Sequence, residues 1–163
     1  VGCDNGAMPT SSKSAAPKPA TKKPGLRLLA KVPLFGGLSQ THLRSIAALA
    51  EEVRYSPGRM IVRTGSPGAA FYVIVEGTAK VVRGKIASAK GTWELGPGDF
   101  FGEMALLDGG PRTASVVAET PLTTIRIERA PFRQMLRAEP DIALKLLESM
   151  AGRMRGMLGQ TSV

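Results

Sequence analysis

The sequence predicts a mainly β domain, a sandwich or barrel, with helices on both flanks. Three observations carry this. Between about Glu52 and Ile127, short runs rich in β-branched and aromatic residues alternate with Gly/Pro punctuation. On either side of that stretch, apolar residues recur at helical spacing instead. The 163 residues, 43% apolar and 21% charged, suffice for one domain with a single core.

Residues 1–25 read as a disordered basic tail. The run from Thr10 to Pro24 is built from Ser, Pro, Lys and Ala with no apolar period, so it cannot bury enough surface to offset its ordering entropy. Helices are expected over 26–51. There Leu38, Leu43, Ile46, Leu49 and Ala50 fall roughly on one face, and Ser39 is placed to cap. His42, in the same helix, reads as a surface or half-buried polar residue. The barrel is expected over 52–130. Its strands are Met60 to Val62, Phe71 to Val75, Ala79 to Val82, Thr92 to Leu95, Ala114 to Val117 and Leu122 to Ile127. Turn signals at Ser56-Pro-Gly58, Gly65 to Gly68, Glu76-Gly77 and Gly96 to Asp99 separate them. Residues 101–112 lack alternation and read as a short helix and loop. Two C-terminal helices are expected over 131–158. Pro131 suits the first turn of one, with Phe132, Met135 and Leu136 as its apolar face. Pro140 breaks the pattern and Asp141 can cap the next. That helix carries one stripe, Ala143, Leu147, Met150, Met154 and Met157. Residues 159–163 form a short tail.

Composition excludes several function classes. Cys3 is the lone cysteine, so neither an internal disulfide nor a thiolate cluster can form. His42 is the lone histidine, which rules out a multi-histidine metal site and leaves one imidazole for base catalysis. No stretch reaches the roughly 18 consecutive apolar residues of a membrane helix. The net charge of +9 favours anionic partners. Lys13, Lys18, Lys22 and Lys23 concentrate part of it in the tail, and the rest is spread over the domain. No dense arginine stripe interleaved with aromatics is seen, so direct DNA binding is not expected.

The chemistry concentrates between Phe100 and Ser115. Gly102 permits close approach of the backbone to a ligand. Glu103 to Leu107 can form one or two helical turns whose first amides would face an anion. Asp108-Gly-Gly-Pro111 must then reverse the chain, and Arg112 emerges at the start of the next strand. A guanidinium near free amides is a phosphate clamp. Thr113 adds a hydroxyl and Ala114 an amide donor. Glu103 is an acceptor suited to a hydroxyl. The ligand read from these residues has one negative charge beside a sugar-like hydroxyl. A plain Glu103–Arg112 salt bridge is the alternative.

The segment Phe101-Gly-Glu-Met-Ala-Leu-Leu107, followed by Pro111-Arg-Thr-Ala-Ser-Val116, resembles the phosphate-binding cassette of the cyclic nucleotide-binding domains. That family includes the catabolite activator proteins and domains of bacterial cyclic nucleotide-gated channels. The resemblance extends over about residues 32–158, and Gly65, Gly77, Gly98 and Asp99 fall where the family places turn residues. It implies an eight-stranded jelly-roll β-barrel with N-terminal helices and two C-terminal helices. It implies cAMP as the favoured ligand, cGMP as the other candidate, and no catalytic cofactor or catalytic residue. Arg112 and Thr113 would meet the phosphate, with the amides of Ala105 and Ala114. Gly102 and Glu103 would meet the ribose, and Phe101 and Met104 complete the cassette. The base would lie against Val75, Val81, Trp93 and Leu95. The last helix, between Leu147 and Leu158, would close as a lid through Met150, Arg153, Met154 and Arg155. Its stripe could instead pack permanently or form a homodimer.

Five residues follow Leu158, so no helix-turn-helix domain is expected in this chain, and the effector would be a partner protein or a fused domain. The ligand class implies a cytoplasmic setting. Two other readings stand beside the sensor: a ligand-independent interaction module that keeps the fold, and an enzyme on a related cupin-type barrel. A single histidine opposes the latter.

Overall fold

The computed structural model describes residues 19–83 and 92–159, with side chains as far as Gly156. The first 18 residues of the expected tail, the expected tail residues 160–163, and the side chains of Met157 and Leu158 lie outside the described residues.

The elements are β1 (Ala20–Lys22), α1 (Leu26–Ala30), a 3-10 turn (Pro33–Phe35), α2 (Gln40–Leu49), β2 (Ala50–Tyr55), β3 (Met60–Val62), β4 (Ala70–Glu76), β5 (Ala79–Val82), β6 (Thr92–Leu95), β7 (Phe100–Phe101), α3 (Glu103–Asp108), β8 (Ser115–Ala118), β9 (Leu122–Glu128), α4 (Arg129–Ala138) and α5 (Pro140–Gly159). The strands form two sheets, ordered β1-β2-β9-β4-β7 and β3-β8-β5-β6. Every named pairing is antiparallel. Strands β2 to β9 are the eight of the jelly roll, arranged as two facing sheets rather than one continuous ladder.

The five-stranded sheet is covered on both faces, which is why Phe71 to Val75 is an unbroken apolar run. Ala70, Tyr72 and Ile74 point inward to Val81, Leu95, Phe101 and Val116 of the barrel core. Phe71 and Val73 point outward, where Ile125 and Ile127 join them under the helices. Leu29, Phe35, Ile46, Phe132, Met135, Ile142 and Leu146 complete that second core. Its centre is aromatic. The Phe71 ring lies 4.6 Å from that of Phe132 and 5.7 Å from that of Phe100.

One boundary differs in kind from expectation. Residues 20–22, assigned to the disordered tail, pair with β2 as a ninth strand. The edge of β2 offers unpaired backbone groups. Charge then fixes the added strand: Lys22 lies 3.5 Å from Glu52, and Lys23 donates to Ala48 O at 2.8 Å beside the end of α2. Smaller differences follow local chemistry. Strand β2 begins at Ala50, two residues before the expected barrel edge, and α4 begins at Arg129, two residues before Pro131. Pro140 opens α5, where its missing N–H costs nothing. Ser39 caps α2 as expected, its Oγ accepting from the His42 amide at 3.3 Å. His42 itself sits at the surface, with Nδ1 3.3 Å from Glu139. No helix among the described residues is long and apolar enough to cross a membrane.

Candidate functional site

The site begins with the backbone that carries Arg112. The Arg112 amide donates to Ser66 O at 2.9 Å, and the Gly65 amide donates to Arg112 O at 2.8 Å. Pro67 and Pro111 bridge beside them. The loop after β3 therefore holds Arg112 in place before its side chain does anything. That side chain runs inward and is 5% exposed. Nη1 donates to Gly102 O at 2.9 Å and Nη2 to Ala70 O at 2.7 Å. Both acceptors are neutral. Among the described residues no carboxylate lies within ion-pair distance of this guanidinium. Burial pulls its pKa down, with Tyr72 and Glu103 opposing, but an arginine stays charged. Two bonds leave three of the five N–H groups for a ligand. A buried cation without a counter-charge is costly unless an anion joins it.

Gly102 is what lets Arg112 fit. It holds φ +90°. A Cβ there would lie 2.5 Å from Arg112 Nη1 and 2.8 Å from Ala70 O. Any side chain would push the guanidinium off its two carbonyls. Gly68 plays the matching part for α3, since a Cβ at that position would overlap the Ala105 methyl.

Glu103 opens α3 and is 5% exposed. Burial pushes its carboxyl up from the usual range, against its own backbone hydrogen bond and the charges of Arg153 and Arg112. The simple Glu103–Arg112 salt bridge is not formed. The partner is Arg153 of α5, with Nη1 3.4 Å from Glu103 Oε1.

These groups meet in a cavity of about 620 Å³, within the usual span of small-ligand sites. The cassette residues Phe101, Gly102, Glu103, Met104 and Ala105 line one wall, and Arg112, Thr113 and Ala114 continue it. Val81, Trp93 and Leu95 line the cavity as well. Met150, Arg153 and Met154 of α5 also line it. A smaller, more open hollow of about 330 Å³ lies between β3 and Arg112; its walls carry no acid.

Two expected residues lie elsewhere. Val75 has the parity of Phe71 and Val73, so it packs against the helix-side core. Arg155 is exposed, because two residues along a helix turn a side chain away from the face that carries Arg153. The stripe read along α5 is also split. Met150 turns to the cavity and Leu147 is exposed, while Met154 reaches the cavity rim yet stays 58% exposed. Sequence reasoning missed Val62, Arg83, Thr92 and Gly156 in the cavity wall. It also missed Ala70, whose carbonyl holds Arg112. The Arg83 guanidinium lies 5.3 Å from the centre of the Trp93 ring. Register could have found the β5 partner of Trp93 but not a side chain past the end of that strand. No cluster of three or more metal-ligating side chains occurs among the described residues.

A deep cavity that joins a buried cation to a buried acid through a Gly-Glu turn defines a class of binding site. Residues 52–139 match the family signature of the cyclic nucleotide-binding domain, and the chain belongs to that family. Over 114 residues it is 37% identical to the cAMP-dependent protein kinase regulatory subunit of Aspergillus fumigatus, covering 70% of this chain and 27% of that protein. Over 117 residues it is 37% identical to a cyclic nucleotide-gated potassium channel of Mesorhizobium japonicum, covering 72% of this chain and 31% of that protein. The chain thus spans about a quarter to a third of the length of these relatives. Among solved structures, it is similar to the regulatory subunit of a cAMP-independent protein kinase A from Trypanosoma brucei. The TM-score is 0.66 at 27% identity, over 78% of this chain and 46% of that one.

Proposed function

We propose that this domain is a sensor that binds a purine 3′,5′-cyclic monophosphate, cAMP in preference to cGMP, and signals through its C-terminal helices. The observation that carries the reading is the buried Arg112, held by neutral carbonyls and facing the cavity without an acid of its own. A cyclic phosphate supplies the one missing charge. Thr113 and the amides of Ala105 and Ala114 are assigned to the same phosphate. Glu103, with Gly102, is assigned to the ribose. The base lies between Val81, Leu95 and Trp93, under a lid formed by Met150, Arg153 and Met154. The preference for cAMP rests on the likeness to the cAMP-dependent kinase subunit, since Thr113 suits either nucleotide. We read the site as binding without chemistry: Glu103 is the one acid among the described cavity residues, and no histidine or cysteine is among them. The effector is a partner protein or a fused domain, and the setting is the cytoplasm, where such nucleotides are made.

The test is calorimetric titration of ligand-free protein with cAMP and with cGMP. Trp93 gives a second readout, because it is the single tryptophan of the chain and is 42% exposed at the cavity wall. Its fluorescence is expected to shift or quench on titration and to saturate at the calorimetric Kd. An unchanged signal during calorimetrically visible binding would remove Trp93 from the base site. A second reading, a ligand-independent interaction module, draws on the likeness to the cAMP-independent trypanosome subunit. It becomes the better one if folded protein binds neither nucleotide.

We assign the outer face of α5 to a second copy of the chain. Leu144 and Leu147 are 56% and 59% exposed there, opposite the buried Ile142 and Leu146. Sedimentation velocity is expected to show a dimer that Leu147→Glu converts to monomer. A wild type that stays monomeric at high micromolar concentration would reject the assignment.

A further inference from the structure

We propose that the smaller hollow, which shares Arg112 with the main cavity, is a second ligand site for a small organic monocarboxylate, and that its occupant weakens the hold of Arg112 on the nucleotide phosphate. The site stands apart from the nucleotide reading above; the coupling rests on it.

The walls of the hollow carry the inference. Met60, Ile61, Pro67 and Ala69 give it an apolar surface. Its charged residues are Arg63 and Arg112, both cations. Tyr72 brings a phenolic O–H that can donate to an anion. Ser66 is the other hydroxyl, and its Oγ donates to Arg63 O at 2.6 Å. Among the described residues, no carboxylate lies within ion-pair distance of Arg63 or Arg112. The acids beside Tyr72 on the sheet answer another cation. Arg126, the cross-strand neighbour of Tyr72, lies 3.1 Å from Glu51 and 3.3 Å from Glu128. Two cations, a donor and no acid select an anion. The apolar lining disfavours a fully hydrated inorganic ion and suits a carboxylate on an apolar body. A guanidinium fork matches a carboxylate with two parallel bonds. A volume of about 330 Å³ stands at the small end of ligand sites.

The coupling follows from the shared residue. Arg112 lines both cavities. The loop at the hollow is bonded to its backbone, through Ser66 O at 2.9 Å and the Gly65 amide at 2.8 Å. Tyr72 acts on the Arg112 charge more strongly than Glu103 does, so the hollow is within electrostatic reach of the guanidinium. A buried cation without a counter-charge gains most from the first anion it meets. A second anion gains less and is repelled by the first, and the penalty is the same in either order of binding.

The probe is benzoate, with benzyl alcohol as its uncharged counterpart, on wild type, Arg63→Ala and Ala69→Leu. Nitrogen–proton correlation spectra are expected to show saturable benzoate shifts at the amides of Ser66, Ala69 and Arg112, with a Kd of about 1 mM or tighter. Benzyl alcohol should not produce them. Arg63→Ala removes one cation and Ala69→Leu fills the hollow, so both should weaken benzoate binding several-fold while binding cAMP as wild type does. Calorimetry of cAMP in saturating benzoate, against chloride at equal ionic strength, is expected to show affinity reduced about fivefold or more and then constant as benzoate rises further. No saturable shift up to about 10 mM would overturn the proposal. Equal binding of benzyl alcohol would leave an apolar hollow only. Competition that never levels off, or that persists in both variants, would place benzoate in the nucleotide cavity and overturn the second site. Wild type that takes benzoate but neither cyclic nucleotide would keep the carboxylate site and remove the nucleotide reading, an outcome distinct from the others.

Discussion

Arg112→Ala is expected to weaken cyclic nucleotide binding by about 30-fold to several-thousand-fold. That range corresponds to roughly 2–5 kcal/mol for a desolvated, charge-assisted contact. The structure adds a second cost. Ala70 O and Gly102 O take their hydrogen bonds from this guanidinium. Truncation leaves two carbonyls without that donor, at roughly 1–3 kcal/mol for each that stays buried and unpaired. The variant should therefore melt lower as well as bind worse, and calorimetry must be run below its melting temperature. Arg112→Lys should not rescue binding. One ammonium on a flexible stem cannot bond both carbonyls and still present a flat, charged edge. Affinity within about threefold of wild type would reject the assignment of Arg112 to the phosphate.

Phe132→Ala is expected to destabilise the domain by about 3–5 kcal/mol, the usual range for deleting a buried ring. Phe132 is fully buried and lies against Phe71, which in turn meets Phe100. One ring from α4 thus holds the helical layer to the start of β4 and, through Phe71, to the start of the cassette. Urea unfolding monitored by circular dichroism measures the loss. A change below about 1 kcal/mol would mean that the layer closes over the gap or that the ring contributes little. Phe100 carries the Arg153 guanidinium on its face, so the same variant also loosens the floor on which α5 is clipped.

The cassette was legible because its parts are contiguous. A positive-φ glycine, an acid one residue on and an arginine behind a rigid turn leave their pattern within 16 residues of chain. The parity of β4 was not legible. A strand buried on both faces shows no alternation, and a one-residue choice decides whether Val75 meets the ligand or the helices. Along α5 the apolar spacing marked a stripe, but both sides of the helix carry methionine or leucine. Only docking separates Met150 from Leu147, or Arg153 from Arg155. Strand β1 left no signal because Ala-Thr-Lys has no pattern of its own; it is ordered by the free edge of β2 and by Glu52. The Arg112 partners were hidden for another reason. They are backbone carbonyls, supplied by whichever residues the fold brings near.

Beyond Leu146, no described side chain of α5 is buried. At 1.5 Å per residue, the 13 residues from Leu147 to Gly159 form a rod of about 20 Å. Its firmest described fastening to the domain is Arg153, with one short hydrogen bond, one long ion pair and a ring beneath. Such a fastening is worth roughly 1–3 kcal/mol. By contrast, micromolar binding of a ligand releases about 8 kcal/mol. On the proposed sensor reading the rod is a lever held by a weak catch, and roughly 1–3 kcal/mol corresponds to an open fraction of about one molecule in six to one in 160 before any ligand arrives. On that reading a ligand need divert only a small part of its binding energy to change the fraction, and an effector in contact with the rod can read the difference.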